Sequence, residues 1–528
     1  MSKHIDQAQR LSRLLAIVLC SLCIAACGGG GGSRALPINN TPPSNPPLAQ
    51  TDFEQGIFSA SSRYKDICLN PRSGNFPDTA GSATDENEWV RAWSHELYLW
   101  YDEIIDEDPR DFATPQYFDL MQTFELSPTG APKDRFHFTF DTEAWQALSS
   151  SGVSAGYGAE FELLSSSPPR RAVVAYVVAG SPAAGAGLTR GAVVIEVDGV
   201  DFENGDDVDT INAGLFPDAA GEAHSFVVED FDGSNRRSVS MTSAQVTEDP
   251  VPFTRVIDTP SGPVGYMLFN THIATAESRL VEEVNNFAGL GVVDLILDLR
   301  YNGGGFLDIA NELGFMIAGP SAASGRVFDE TQFSDKHPTT NPVTGAALTP
   351  DFFHTTTQGF SLAAGNPLPS LNLPRVVILS QSGTCSASEA IINGLRGIDV
   401  EVIMIGGTSC GKPYGFFPQD NCGTTYFTIQ FRGVNAKGFG DYSDGFVPTE
   451  TPLADFEVPG CVIDDDFSRD LGDLGEAQLS AALEYLENGA CPVPPTANFV
   501  SSTAKRVVVD NGDGQVKPSL FVPGAIRR

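Results

Sequence analysis

Apolar residues recur in two alternating rhythms between residues 250 and 488, and those rhythms predict an α/β domain. Near-continuous apolar runs at residues 292–300 (VVDLILDLR), Arg375–Ser380 (RVVILS) and residues 400–405 (VEVIMI) have the pattern of strands buried on both faces of a parallel sheet. Segments of helical spacing lie between them, among them SASEAIINGLRG from Ser386. Upstream, alternating residues punctuated by glycine predict a β-rich module over residues 151–248, and residues 51–150 read as largely helical. There Trp89, Trp93, Leu97 and Trp100 nearly follow one helical face, as a core helix requires. Residues 134–140 (DRFHFTF) alternate as a strand does, joining either the later sheet or an edge of the β-rich module. Residues 319–369, rich in Pro, Thr and Gly, read as an insertion that forms a lid or rim. Residues 505–522 (KRVVVDNGDGQVKPSLFV) predict a hairpin, and Asp510 and Asp513 within it lack the spacing of a calcium loop, so a surface turn is expected.

At the other end, Lys3, His4, Arg10 and Arg13 precede an apolar run over residues 14–26, too short for a membrane-spanning helix and ordered as a secretory signal. Residues 28–50, rich in Gly, Pro and Asn, read as a flexible tether. The expected organisation is therefore a signal peptide at 1–26, a linker at 27–50, a helical domain at 51–150, a β-rich module at 151–248, an α/β domain at 249–490 and an extension at 491–528. The fold class is multidomain α+β.

Composition changes this picture little but excludes partners. The 528 residues, 41% hydrophobic, suffice for several cores. A formal charge of −35 would repel nucleic acid and anionic lipid, and is read as solubility. Beyond the signal and Cys27, six cysteines remain: Cys68, Cys385, Cys410, Cys422, Cys461 and Cys491. An even number in an oxidising compartment permits three disulfides. A Cys385–Cys410 bridge is the favoured hypothesis, with Cys410–Cys422 its rival.

The candidate chemistry sits at the ends of the apolar runs. Ser386 opens a helix, where a serine with Glu389 three residues on reads as a capping box. The same position offers a serine nucleophile beside a free helix-terminal amide, that of Ala387, able to hold an oxyanion. Lys412, in a loop after residues 400–405, can serve as base only if desolvation lowers its pKa, and Phe416 and Phe417 could supply such a site. Asn302-Gly303-Gly304-Gly305 follows residues 292–300, and glycines at a strand-to-helix turn let backbone amides approach a ligand closely. No metal or organic cofactor is implied.

The ordered motifs DLRYNGGG, SASE and GK resemble the carboxy-terminal processing (tail-specific) serine peptidases. The resemblance implies Ser386 as nucleophile, Lys412 as general base, and the amides of Ala387, Gly304 and Gly305 as oxyanion hole. One departure is that Phe416 stands where many members carry a Gln that orients the lysine, so Tyr414 or a backbone carbonyl is expected to hold Lys412 instead. Gly156-Tyr157-Gly158-Ala159, followed by AYVVAGSPAAGAGLTRGAVVIEVDGV, resembles a PDZ module, which implies peptide C-termini gripped by that loop. Ile24-Ala25-Ala26-Cys27 resembles a bacterial lipobox, which implies lipidation of Cys27 and an exported protein anchored to a membrane, facing the periplasm or the cell surface; the alternative is an ordinary cleaved signal.

The expected function is a Ser-Lys endopeptidase acting near the C-terminal tails of exported proteins. Its alternative is a catalytically silent PDZ lipoprotein that binds peptide C-termini. A histidine-assisted serine hydrolase is the third class, with His272, His337 and His354 as its candidates, but Ser386 lacks the Gly-x-Ser-x-Gly elbow.

Overall fold

A computed structural model describes residues 53–127, 129–492 and 525–526. The signal run, Cys27, the tether and the hairpin expected at residues 505–522 lie outside the described residues.

The predicted buried strands are the centre of one seven-stranded sheet. Its order is Phe253–Thr259, Gly262–Leu268, Asp294–Asp298, Arg375–Ser380, Glu401–Gly406, Glu457–Val462 and Val447–Thr449. The first pair is antiparallel and every later pair parallel. Side chains alternate across a strand, so each run feeds two cores. Leu295, Leu297, Val376, Ile378, Val402 and Met404 pack against helices Ala276–Gly289, Leu307–Ala318 and Ala387–Gly397. Ile296, Val377, Leu379, Ile403 and Ile405 pack against helix Ala477–Asn488 on the opposite face. Coverage on both faces is why these strands read as unbroken apolar runs.

The β-rich module is an antiparallel sheet in the order Arg237–Thr242, Ala223–Glu229, Val193–Val197, Arg171–Val177 and Ala159–Ser165. Phe161, Val174, Val194 and Phe226 form its core with Ile211 and Leu215 of helix Val208–Leu215. A buried ionic cluster joins this module to the α/β domain. Arg300, fully buried, contacts Asp298 at 3.0 Å, Asp465 at 2.7 Å and Glu476 at 3.0 Å. Arg190, from the β-rich module, reaches the same Asp465 at 2.5 Å and donates to the Tyr301 hydroxyl at 2.6 Å.

The amino-terminal region is helical only in part. Ser82 and Asp85 form a capping box that opens helix Ala83–Leu97. Trp89 and Trp93 stack within it, 5.2 Å between ring centroids, and pack edge-on against Tyr426. Trp100 leaves this face because the helix ends at Leu97, and its ring packs instead on Tyr414 at 4.9 Å. Helices Thr114–Leu120 and Thr142–Ser151 complete the region's regular helix.

Two sequence expectations are corrected here. The strand expected at residues 134–140 forms only over Phe138–Asp141, and it joins neither expected sheet. It pairs with Thr424–Phe427 in a separate three-stranded sheet, because Phe138 and Phe140 pack with Trp145, Phe416 and Phe427. The insertion at 319–369 is more regular than its composition suggests. It contributes strand Val327–Phe333, paired with Phe431–Val434, and Glu277 anchors a later stretch by accepting the amides of Gly359, Ser361 and Leu362 at 2.7–2.8 Å. Among the described residues no helix is long and apolar enough to cross a membrane.

Candidate active site

Three adjacent parallel strands deliver the three motifs to one edge of the sheet. Asp294–Asp298 runs into the Asn302–Gly305 turn, Arg375–Ser380 into Ser386, and Glu401–Gly406 into Lys412. Loops at the carboxyl ends of such strands are where α/β sheets gather ligands.

Ser386 is buried, at 1% exposure, and opens helix Ala387–Gly397 with the expected capping box to Glu389. Its backbone is not that of an ordinary cap. An N-cap residue is normally extended, whereas Ser386 has φ +58° and ψ −109°, a conformation a non-glycine residue adopts at a cost of about 1–3 kcal/mol. Strain of this kind persists only where surrounding contacts enforce it, and it gathers at functional sites.

Glu389 does more than cap. Its fully buried carboxylate accepts from the Ser386 amide at 2.9 Å, the Ser409 hydroxyl at 2.6 Å, and the amides of Gly411 and Lys412, both at 2.8 Å. Burial pushes its pKa up, and these hydrogen bonds oppose that push. One carboxylate thus fastens the serine loop to the lysine loop. The Cys385–Cys410 disulfide, with Cα atoms 5.1 Å apart, fastens the same two loops covalently. The other bridges are Cys68–Cys422 and Cys461–Cys491, so the rival Cys410–Cys422 pairing is absent. Gly411 must be glycine for a steric reason: at φ +87°, a Cβ would lie 2.3 Å from the Ser443 carbonyl oxygen.

Lys412 is 1% exposed, and burial lowers its pKa to about 7, against the opposing charges of Asp134 and Glu389. Among the described residues its Nζ has no hydrogen-bond partner, so neither Tyr414 nor a described backbone carbonyl holds it, contrary to expectation. The ammonium position lies instead between two rings, 4.2 Å from the centroid of Phe416 and 4.5 Å from that of Phe136. Phe416, one of the two residues expected to supply an apolar site for Lys412, forms one wall of its enclosure. The other wall comes from the amino-terminal region. Arg135 beside it donates to the carbonyls of Cys410 and Ser443, while Asp134 accepts from the Tyr98 hydroxyl and the Phe136 amide. Sequence reading missed these residues. Alternation marked residues 134–140 only as a strand, and nothing local to DRF signals a lysine more than 270 residues away.

The Asn302–Gly305 turn is held from one side by Asn302 and His272. The Asn302 side chain accepts from His272 Nδ1 and the Gly304 amide, both at 3.0 Å, and donates to the Phe269 carbonyl. Since Asn302 Oδ1 accepts, the His272 proton is on Nδ1; burial depresses the pKa of this ring to about 3, so it is neutral. The Asn302 carbonyl in turn accepts from the Cys385 amide and the Ser388 hydroxyl, which ties the turn to the serine loop. Because the Gly304 amide is already engaged, the expectation of Gly304 as an oxyanion donor is corrected, leaving Gly305 and Ala387. Gly305 has φ +135°, and a Cβ there would lie 2.5 Å from the His272 carbonyl oxygen. His337 and His354 are bound elsewhere, to the Glu96 carbonyl and Asp308.

Residues 263–417, which hold all three motifs, match the family model for peptidase family S41. The chain carries a peptidase family S41 domain. Over 140 residues it is 29% identical to a carboxyl-terminal-processing protease of Picosynechococcus sp., an overlap covering 25% of this chain and about a third (32%) of that relative. A Bacteroides fragilis structure, named a putative S41 protease, shares this fold, with a TM-score of 0.56 at 23% identity, covering 79% of this chain and all of that one. A photosystem II D1 C-terminal processing protease aligns at a TM-score of 0.42 and 18% identity, over 70% of this chain and 92% of its own.

The loop Gly156-Tyr157-Gly158-Ala159 lies apart from the S41 motifs, in the β-rich module. Tyr157 is buried and its hydroxyl donates to the Gly214 carbonyl at 3.0 Å. The Tyr157 and Gly158 carbonyls accept from the amides of Ala183 and Val178.

Proposed function

We propose that this chain is a serine endopeptidase of the Ser-Lys type, acting on exported proteins near their C-terminal tails. The observation that carries the reading is the buried, hydrogen-bond-free Nζ of Lys412, its pKa brought to about 7, fastened through Glu389 to a strained Ser386. A base works best when its pKa is near the working pH. Neutral Lys412 takes the Ser386 proton as Oγ attacks a peptide carbonyl, and the oxyanion is held by the amides of Ala387 and Gly305. The C–N bond then breaks, Lys412 returns the proton to the leaving amine, and an acyl ester remains on Ser386. Water, deprotonated by Lys412, hydrolyses that ester, and the proton passes back to Ser386. The Gly156–Ala159 loop of the PDZ-like module would receive substrate C-termini.

Export and a lipid anchor at Cys27 belong to the same reading. The three disulfides support it, since such bonds persist in oxidising compartments.

Cleavage of an unfolded reporter protein tests the activity. Wild type is expected to degrade it and Ser386→Ala to leave it intact; a fully active Ser386→Ala would refute the assignment.

The two rings give a second expectation, with opposite signs for two variants. Phe136→Leu keeps Lys412 buried but removes a ring face that favours the ammonium by about 0.5–2 kcal/mol. The apparent pKa falls, and the rising limb of kcat/KM against pH moves about 0.4–1.5 units lower. Phe136→Ala admits water, raises the pKa, and moves the same limb higher. A merely structural Phe136 would leave the limb in place in both.

A further inference from the structure

Ile526 lies between two pieces of the proposed active site. Its amide donates to the Gly305 carbonyl at 2.9 Å, and it bridges Phe306 in parallel register. On its other side, Ala525–Ile526 pairs in parallel with Gly415–Phe416, the strand that begins two residues after Lys412. The side chain is 2% exposed, in an apolar cluster with Trp145, Phe416 and Phe427. A cavity of about 350 Å³ adjoins it, walled by Trp145, Phe306, Phe417 and Pro418.

Extended peptides bind proteins by adding a strand: backbone hydrogen bonds give affinity, and pockets for alternate side chains give specificity. The edge between Gly305 and Gly415–Phe416 offers such bonds beside the groups proposed to attack a peptide, and Ala525–Ile526 already occupies it. We propose that this segment is a built-in pseudosubstrate. It fills the strand-binding groove, and the site that takes Ile526 is the subsite for a branched aliphatic side chain of the substrate. The proposal rests on the peptidase reading for its functional consequence, but occupancy of the groove is a binding property of its own.

An incoming polypeptide must displace a competitor on the same chain, whose effective concentration does not fall on dilution. Inhibition is therefore concentration-independent. Weakening the competitor opens the site, and since burying an isoleucine side chain contributes about 1.5–3 kcal/mol, the gain is on the order of tenfold or more. The substrates selected are extended, unfolded segments with Ile, Val or Leu at the matching position. A charged residue there is rejected, because an unpaired charge in an apolar site carries a heavy desolvation cost.

The test uses the full chain carrying Ser386→Ala, so that binding is read without turnover. The probe is a fluorescently labelled peptide of sequence VPGAIRR, corresponding to residues 522–528, followed by anisotropy. Adding Ile526→Asp, or the milder Ile526→Ser, is expected to tighten probe binding on the order of tenfold, and a probe with Asp in place of Ile is expected not to bind. In parallel, Ile526→Asp in the otherwise native chain is expected to raise the initial rate on an unfolded reporter by a similar factor. Equal probe affinity with and without the Ile526 substitutions would overturn the pseudosubstrate, whether or not the reporter is cut. Tightened binding with no reporter cleavage by any variant would uphold the groove and its occupant while refuting the peptidase reading.

Discussion

Lys412→Ala is expected to lower kcat/KM on an unfolded protein by at least about a thousandfold, with little effect on folding. Proton transfer by a positioned base contributes about 10²–10⁴-fold, and residues that act as a unit lose most of that together. The variant removes an amine whose burial is itself a cost to the fold, so the melting temperature should not fall with the activity. In wild type the sign of the pH dependence follows from the same group. Lys412 accepts a proton only when neutral, so activity rises as pH climbs through about 7 and is lost below it. Lys412→Ala should abolish that limb rather than shift it. Steady-state rates across pH 5–9 check both statements, and a Lys412→Ala enzyme with wild-type rates would exclude Lys412 as base.

Arg300→Leu is expected to cost about 3–5 kcal/mol of stability, the range for removing one partner of a buried ion pair. The guanidinium is fully buried among Asp298, Asp465 and Glu476, so its loss leaves three carboxylates facing each other with, among the described residues, Arg190 as the remaining cation, in contact with Asp465. Arg236→Leu is the control. Its pairing with Glu196 at 3.2 Å is exposed on both sides, so it should cost no more than about 1 kcal/mol. Denaturant midpoints of the two variants make the comparison. Activity should fall with Arg300→Leu as well, because Tyr301 and Asn302 follow directly and the Asn302–Gly305 turn is built on them. Equal midpoints for the two variants would show that the ionic cluster is not what holds this edge of the sheet.

The parts of the molecule legible in the sequence are those where one periodicity dominates. Runs such as RVVILS had to be strands covered on both faces, and they are; the glycine turn and the serine helix followed from where those runs end. The Cys385–Cys410 bridge was open to inference because both cysteines adjoin the motif residues. What stayed hidden depends on contacts remote in sequence. Phe416 is legible as an apolar neighbour of Lys412, but the second ring, Phe136, comes from the amino-terminal region, and no hydrogen bond from Tyr414 takes the place of the missing Gln. Glu389 carried a cap signature that was correct but incomplete, since its second oxygen serves the lysine loop. The strand expected at residues 134–140 shortened because Asp134 and Arg135 are committed to the site and only Phe138–Asp141 finds a ladder partner.

The pairing of Ser386 with Lys412 is tested most directly by covalent labelling with a serine-reactive fluorophosphonate, read by mass spectrometry of the digested protein. A single label on Ser386 is expected, acquired faster at pH 8 than at pH 6, and lost in Lys412→Ala. A label on another residue, or a Ser386 labelling rate unchanged by Lys412→Ala, would contradict it.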